Sequence, residues 1–223
     1  LKDRLAGVIN LEGLAFGHVY HAGIAVKRLH IVCNTGGGHS WLHFGRPSAI
    51  HALMTLGAKI AQLKPPARPR TTYNIGVIDG GTSINSIAAT ASMWLDLRSE
   101  DMGALGALES DVRRLIQSVT SSDVSFTVDV VGDRPAGTLS VNHPLVQAAV
   151  EALARVGINA TLETGSTDGN VALAAGCPVV TVGVTRGGNA HRLDEYAEVA
   201  PVRDCMYQLM LLTLAAAARG FKY

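Results

Sequence analysis

At 223 residues, 48% of them hydrophobic and with a formal net charge of +1, the chain can bury one large core or two small ones and carries no compositional sign of disorder. The near-neutral balance provides no basic stripe for nucleic acid, and the longest apolar stretch, Leu209 to Ala218 interrupted by Thr213, is too short to span a bilayer. Cys33, Cys177 and Cys205 are widely spaced and include no CxxC pair, which argues against a disulfide framework or thiolate metal site and makes a reducing cytoplasm the expected compartment.

The chain opens at Leu1-Lys2-Asp3-Arg4 without a Met or a signal-like pattern, and Gly7 to Leu11 already reads as a buried strand, so the sequence is expected to start in mid-domain. Ala25 to Cys33 predicts a strand, broken by the loop Thr35 to Trp41. Pro47 suits a first helical turn, and Ile50, Leu53, Leu56, Ile60 and Leu63 recur at helical spacing before Pro65-Pro66 stops the helix. Two strands follow, Thr71 to Ile78 and Ala88 to Leu97, joined through Asp79-Gly80-Gly81-Thr82, whose glycines suit a turn. Met102 to Val119 is again helical and Val124 to Val131 a strand, which gives the order β-α-β-β-α-β of a ferredoxin-like unit.

Beyond residue 136 the pattern changes. It predicts a helix over Pro144 to Val156, a short strand near Ala160, a turn at Gly165 to Gly169 and a helix over Asn170 to Ala175. Pro178 to Val184 is a continuous β-branched run, as expected of a strand buried on both faces, and Val202 to Ala218 forms a closing helix. The fold class is α/β: a partial α/β domain made of residues 1–24 and 137–223, interrupted by an inserted domain at residues 25–136.

The chemistry-bearing residues lie in separate islands. Glu12 follows a strand and precedes Gly13, so its carboxylate is placed to be a hard oxygen ligand, the plain alternative being an exposed strand end. His191 sits in a glycine-rich loop after the strand ending at Val184, with Asp194 and Glu195 near enough to orient the ring; a polar loop histidine is the alternative. His39 follows three glycines, where the backbone can approach a ligand and the imidazole can donate. No Gly-Lys-Ser/Thr follows, which excludes a phosphate loop. His18 and His21 carry little weight. On a strand, Arg98 shares a face with Asp96 and Trp94 while Met93, Leu95 and Leu97 face a core; it offers a fork for a carboxylate or an internal pair with Asp96. Asn85, thirteen positions earlier, belongs to the turn region if it acts with Arg98. Ser166, Thr167 and Asp168 open a helix and suit either an anionic group or simple capping.

Taken jointly, Leu11-Glu12-Gly13, Gly36-Gly37-Gly38-His39-Ser40-Trp41, Ile84-Asn85-Ser86-Ile87, Asp96-Leu97-Arg98, Ser166-Thr167-Asp168 and Gly188 to Glu195 resemble the zinc-dependent peptidase and amidohydrolase family. That family includes glutamate carboxypeptidase, acetylornithine deacetylase, succinyl-diaminopimelate desuccinylase, aminoacylase and tripeptide aminopeptidase. The resemblance implies a zinc-peptidase-like α/β catalytic domain interrupted by a βαββαβ lid that makes a homodimer. It implies Glu12 and His191 as late metal ligands and His39 as the group that crosses the dimer to steady the oxyanion. Asn85 and Arg98 would hold the substrate carboxylate, with Ser166 and Thr167 in the catalytic segment. The cofactor implied is zinc, two ions per complete site, with cobalt or manganese as substitutes. The substrate implied is a small peptide or N-acyl amino acid, with no nucleic acid or membrane partner. The family's His-x-Asp pair, bridging Asp and Glu-Glu pair belong before Glu12 and have no counterpart here, so the resemblance is to the carboxy-terminal part and the chain alone is expected to be inactive. An inactive dimerisation or ligand-binding module and an N-carbamoyl amino acid amidohydrolase are the alternatives.

Overall fold

The computed structural model describes residues 5–190 and 192–219. The chain divides into two compact units, one formed by residues up to Ile24 and from Arg134 onward, the other by Ala25–Asp133. Strands β1 (Val8–Glu12) and β2 (His18–Gly23) open the first unit. The second contains β3 (Ala25–Thr35), β4 (Gly38–His39), α1 (Ala49–Ile60), β5 (Thr71–Gly80), β6 (Ser86–Ile87), β7 (Thr90–Ser99), α2 (Met102–Val119) and β8 (Val124–Arg134). The first then resumes with β9 (Gly137–Thr138), α3 (Pro144–Arg155), β10 (Thr161–Gly165), α4 (Gly169–Ala174), β11 (Val179–Gly183), β12 (Gly187–Gly188), β13 (Tyr196–Ala197) and α5 (Val202–Arg219).

In the inserted unit the sheet runs β5-β7-β3-β8, with β7 antiparallel to both β3 and β5. Alternation decides which face is covered: Met93, Leu95 and Leu97 of β7 are buried, while Ser92, Trp94, Asp96 and Arg98 share the other face. Both α1, through Leu53, Leu56 and Ile60, and α2, through Leu105, Leu108, Val112 and Ile116, bury apolar stripes and pack on the sheet. Asp101 fixes the start of α2 by accepting a 2.8 Å hydrogen bond from the Ala104 N–H.

The other unit is built on a mixed sheet in which β1 runs parallel to β11, β11 antiparallel to β2, and β2 parallel to β10. All five residues of β11 are buried, which is what its β-branched run requires, and α3 and α5 pack over a core that includes Val19, Leu145, Leu153, Val180, Val182 and Leu212. Strand β2 corrects the sequence reading, which gave His18 and His21 little weight and no strand. Among its residues only Val19 and Gly23 are buried, so the alternation is too short to register, and its place is set by pairing with β10, β11 and β9. His21 adds a side-chain anchor, donating from Nδ1 to the Leu139 carbonyl at 2.8 Å.

Candidate functional site

β1 delivers Glu12 to the carboxyl end of its sheet beside Gly183, the last residue of β11. The backbone there is pinned, with the Val184 N–H donating to the Glu12 carbonyl at 2.7 Å and the Thr185 N–H to Gly13 at 2.9 Å. Gly183 is obligatory, because a Cβ at that position would lie 1.7 Å from the Ala15 carbonyl carbon. The half-buried Glu12 carboxylate then faces a cleft of about 320 Å³ lined by Leu14, Ala15, Tyr20, Gly165, Ser166 and Thr167. Three residues singled out in the sequence, Glu12, Ser166 and Thr167, are therefore brought together.

Their hydroxyls play different parts. Thr167 Oγ1 lies 3.1 Å from Thr181 Oγ1 and accepts the Gly169 N–H at 3.2 Å, while Asn10 donates to Thr181 at 3.2 Å. Thr167 thus ties the loop to β11 and to the first residue of α4, and the capping reading describes its hydroxyl. Asp168 instead pairs with Arg134 at 3.1 Å. Ser166 Oγ is buried in the cleft wall and has no hydrogen-bond partner among the described residues, so it is the hydroxyl left for a ligand.

Tyr20 is a cleft residue that sequence reasoning missed. Burial, then the nearby Glu163 and Glu12 carboxylates, pushes its phenol up from the usual tyrosine range, so the group stays protonated. Gly165 makes room for it: a Cβ there would stand 2.7 Å from the Tyr20 ring.

His191, the other metal ligand inferred from sequence, lies outside the described residues. Its flanks form the β12–β13 hairpin, in which Gly188 pairs with Tyr196. Asp194 accepts from Arg192 Nε at 2.9 Å and from Asn189 Nδ2 at 3.0 Å, so its carboxylate holds the loop closed. Among the described residues no cluster of three His, Cys, Asp or Glu side chains could hold a metal ion. Glu12 suits one oxygen position of such a site, its carboxylate taking no hydrogen bond from the described residues, but these residues do not make a full ligand set.

In the inserted unit, β4 pairs with β6 so that His39 stands opposite Ser86, and the Ser40 N–H donates to the Asn85 carbonyl at 3.0 Å. His39 and Asn85 therefore share one tip. The Trp41 and Leu42 N–H groups donate to His39 Nδ1 at 3.2 and 3.4 Å, which makes Nδ1 an acceptor and leaves the proton of the neutral ring on the exposed Nε2. His43 supports this turn by accepting the His39 N–H at 2.9 Å. Gly38 serves His43 rather than a ligand, since a Cβ there would come within 2.6 Å of the His43 ring.

Arg98 stands elsewhere. It pairs with Val26 and Thr72 near the far end of β7, roughly 26 Å of extended chain from Thr90 at the Asn85 end. One copy of this unit does not bring Asn85 and Arg98 to one ligand. Arg98 Nε donates to Asp96 at 2.6 Å, and Asp96 also accepts from Arg28 at 3.1 Å, so the internal pair foreseen for Arg98 forms while its Nη groups have no partner among the described residues.

The architecture is that of solved peptidases and amidases. The chain superimposes on the aminopeptidase PepT of Bacillus cereus with a TM-score of 0.76 at 18% identity, covering 97% of this chain and 59% of that one. A tripeptidase of Staphylococcus aureus gives 0.74 at 20% identity over 92% and 56% of the two chains. An amidase of the hydantoinase/carbamoylase family from Burkholderia multivorans gives 0.68 at 15% over 90% and 50%. The chain thus spans between half and three-fifths of the length of these structures. No curated protein matches it in sequence. Residues 21–124 match the family model described as the peptidase dimerisation domain. That match falls on most of the inserted unit, and beyond it the likeness is one of fold.

Proposed function

We propose that the complete polypeptide hydrolyses an amide or peptide bond in a small peptide or N-acyl amino acid with the help of bound metal, and that this chain supplies the lid and the late part of the metal site. The convergence of Glu12 with Ser166 on one cleft, in a chain whose inserted unit is a peptidase dimerisation domain, carries this reading. Glu12 and His191 would be the metal ligands in this part of the chain, and zinc bound there would supply Lewis-acid polarisation of the scissile carbonyl. Ser166 donates to substrate oxygen. His39 offers its Nε2 proton to the developing oxyanion of a second copy's site, a donor of a kind that supplies roughly 3 kcal/mol in the transition state. Asn85 comes with it on the same tip, and Arg98 takes the substrate carboxylate from the other end of its own sheet.

The test is metal content and turnover in the complete polypeptide. Zinc should bind, a chelator should abolish hydrolysis of dipeptides or N-acyl amino acids, and Glu12→Gln should lower zinc affinity by about tenfold or more. A zinc-free protein that still dimerises would overturn the enzymatic reading in favour of a binding module. A second substrate class is supported by the likeness to the hydantoinase/carbamoylase amidase: N-carbamoyl amino acids, assayed beside dipeptides, distinguish the two.

A further inference from the structure

The cleft beside Glu12 contains a phenol that neither the family's motifs nor the reading above employs. Tyr20 lies on β2 between Thr181 of β11 and Glu163 of β10, so the sheet itself delivers the residue to the cleft wall. Its ring is held in place by packing: it occupies the space that a Cβ on Gly165 would need, with ring carbons 2.7 and 2.8 Å from that position, one residue before Ser166. A tyrosine placed only for packing buries its ring and pairs its hydroxyl with a protein acceptor. Tyr20 packs one side of a half-buried ring on Gly165, and its hydroxyl makes no hydrogen bond to the described residues although it feels the charges of both Glu163 and Glu12. Ser166 Oγ, buried in the same wall, is likewise without a partner. The wall therefore presents one acceptor, the Glu12 carboxylate, and two unengaged hydroxyl donors.

We propose that Tyr20 is a ligand-binding residue of this cleft, its phenol donating a hydrogen bond, together with Ser166, to an oxygen of the tetrahedral or carboxylate group that the Glu12 site receives. This rests on the reading of the cleft as the metal and substrate site. A phenol is suited to the task because it brings a proton but no charge, so it can face an anionic oxygen beside Glu12 without competing for the metal. The ring, clamped over Gly165, pays little ordering cost when the ligand arrives.

Inorganic phosphate serves as a tetrahedral oxyanion probe on the complete polypeptide, with zinc and then phosphate binding measured by calorimetry. Tyr20→Phe keeps the ring that packs on Gly165 and removes only the hydroxyl. It should leave zinc affinity within about twofold and weaken phosphate by about tenfold, the effect of one hydrogen bond to a charged acceptor. Replacing Tyr20 by a fluorotyrosine, whose phenol is a stronger donor, should tighten phosphate instead, and this second variant decides the matter if the first fails to fold. Wild-type zinc binding with phosphate affinity indifferent to position 20 would refute the role of Tyr20 and leave the proposed function standing. Failure of the wild type to take up zinc would sink the reading of the cleft itself, and the role of Tyr20 with it.

Discussion

Asn85 and Arg98 stand at opposite ends of the same antiparallel sheet, Asn85 beside the β4–β6 pair and Arg98 across from Val26 and Thr72. If both grip one substrate, as proposed, the substrate must lie between two copies of the chain. Mixing Asn85→Ala with Arg98→Ala should then restore activity that neither variant has alone. Each mixed dimer contains one site with both native groups, and half of randomly assorted dimers are mixed, so recovery should approach about one quarter of wild type. Activity no higher than the mean of the two pure variants would place both groups in one copy.

The edge of that sheet offers a physical basis for the proposed dimer. Strand β5 is at the edge, and its residues Val77 and Ile78 are 55% and 58% exposed, an apolar strand edge of the kind proteins normally cover. A second copy is the proposed cover. Ile78→Lys together with Val77→Asp should shift the protein to monomer in analytical ultracentrifugation while leaving its circular dichroism unchanged. A dimer that survives both changes would put the interface elsewhere.

Two glycines beside the cleft should differ in their tolerance of a methyl group. At Gly183 the added carbon meets Ala15 backbone at 1.7 Å, and that turn is pinned by the Phe16 N–H donating to Thr185 and the His18 N–H donating to Ala15, both at 2.9 Å, so Gly183→Ala should cost more than about 3 kcal/mol in urea melts. At Gly165 the obstacle is a side chain rather than backbone, so the methyl would push the Tyr20 ring off its packed position. Gly165→Ala should therefore cost about 1 kcal/mol and show its main effect in the cleft, as weaker phosphate binding.

What the sequence revealed follows from the kind of signal each element carries. The βαββαβ order of the inserted unit was legible because Met93, Leu95 and Leu97 alternate and Leu105, Leu108 and Val112 recur at helical spacing, both local patterns. The strand end at Glu12 and the turn at Ser166, which line one cleft, were legible through local strand and turn chemistry. β2 was not, since its pairing with β10 and β11 is long-range and Tyr20 between two histidines has no periodic signature. The parting of Asn85 from Arg98 was hidden too: a separation of thirteen residues tells nothing of which end of a strand a loop occupies. Thr167 stayed open between ligand contact and cap because a hydroxyl at a helix start reads alike in both roles, and its bonding to Thr181 and Gly169 is long-range or backbone detail that the sequence does not carry.

A pH dependence of stability should come from His143 rather than from the cleft. His143 precedes α3 and its Nδ1 accepts the Leu145 N–H at 3.1 Å, which requires the neutral ring, and burial lowers its pKa from the ordinary histidine value of 6.5. A base with a depressed folded pKa contributes fully above its unfolded pKa. As pH falls below 6.5 the unfolded chain takes the proton first, so stability drops until the folded pKa is passed and then levels off in this respect. His143→Asn, a residue that caps without titrating, should flatten the part of the profile just below 6.5 in urea melts taken across pH. An unchanged slope in that variant would overturn the assignment to His143, and the Lys27–Glu109 pair would not take it over. There burial raises Glu109, but the hydrogen bonds from Lys27 and Arg113 outweigh it and hold the carboxyl below its ordinary 4.5, so its contribution is lost only at lower pH.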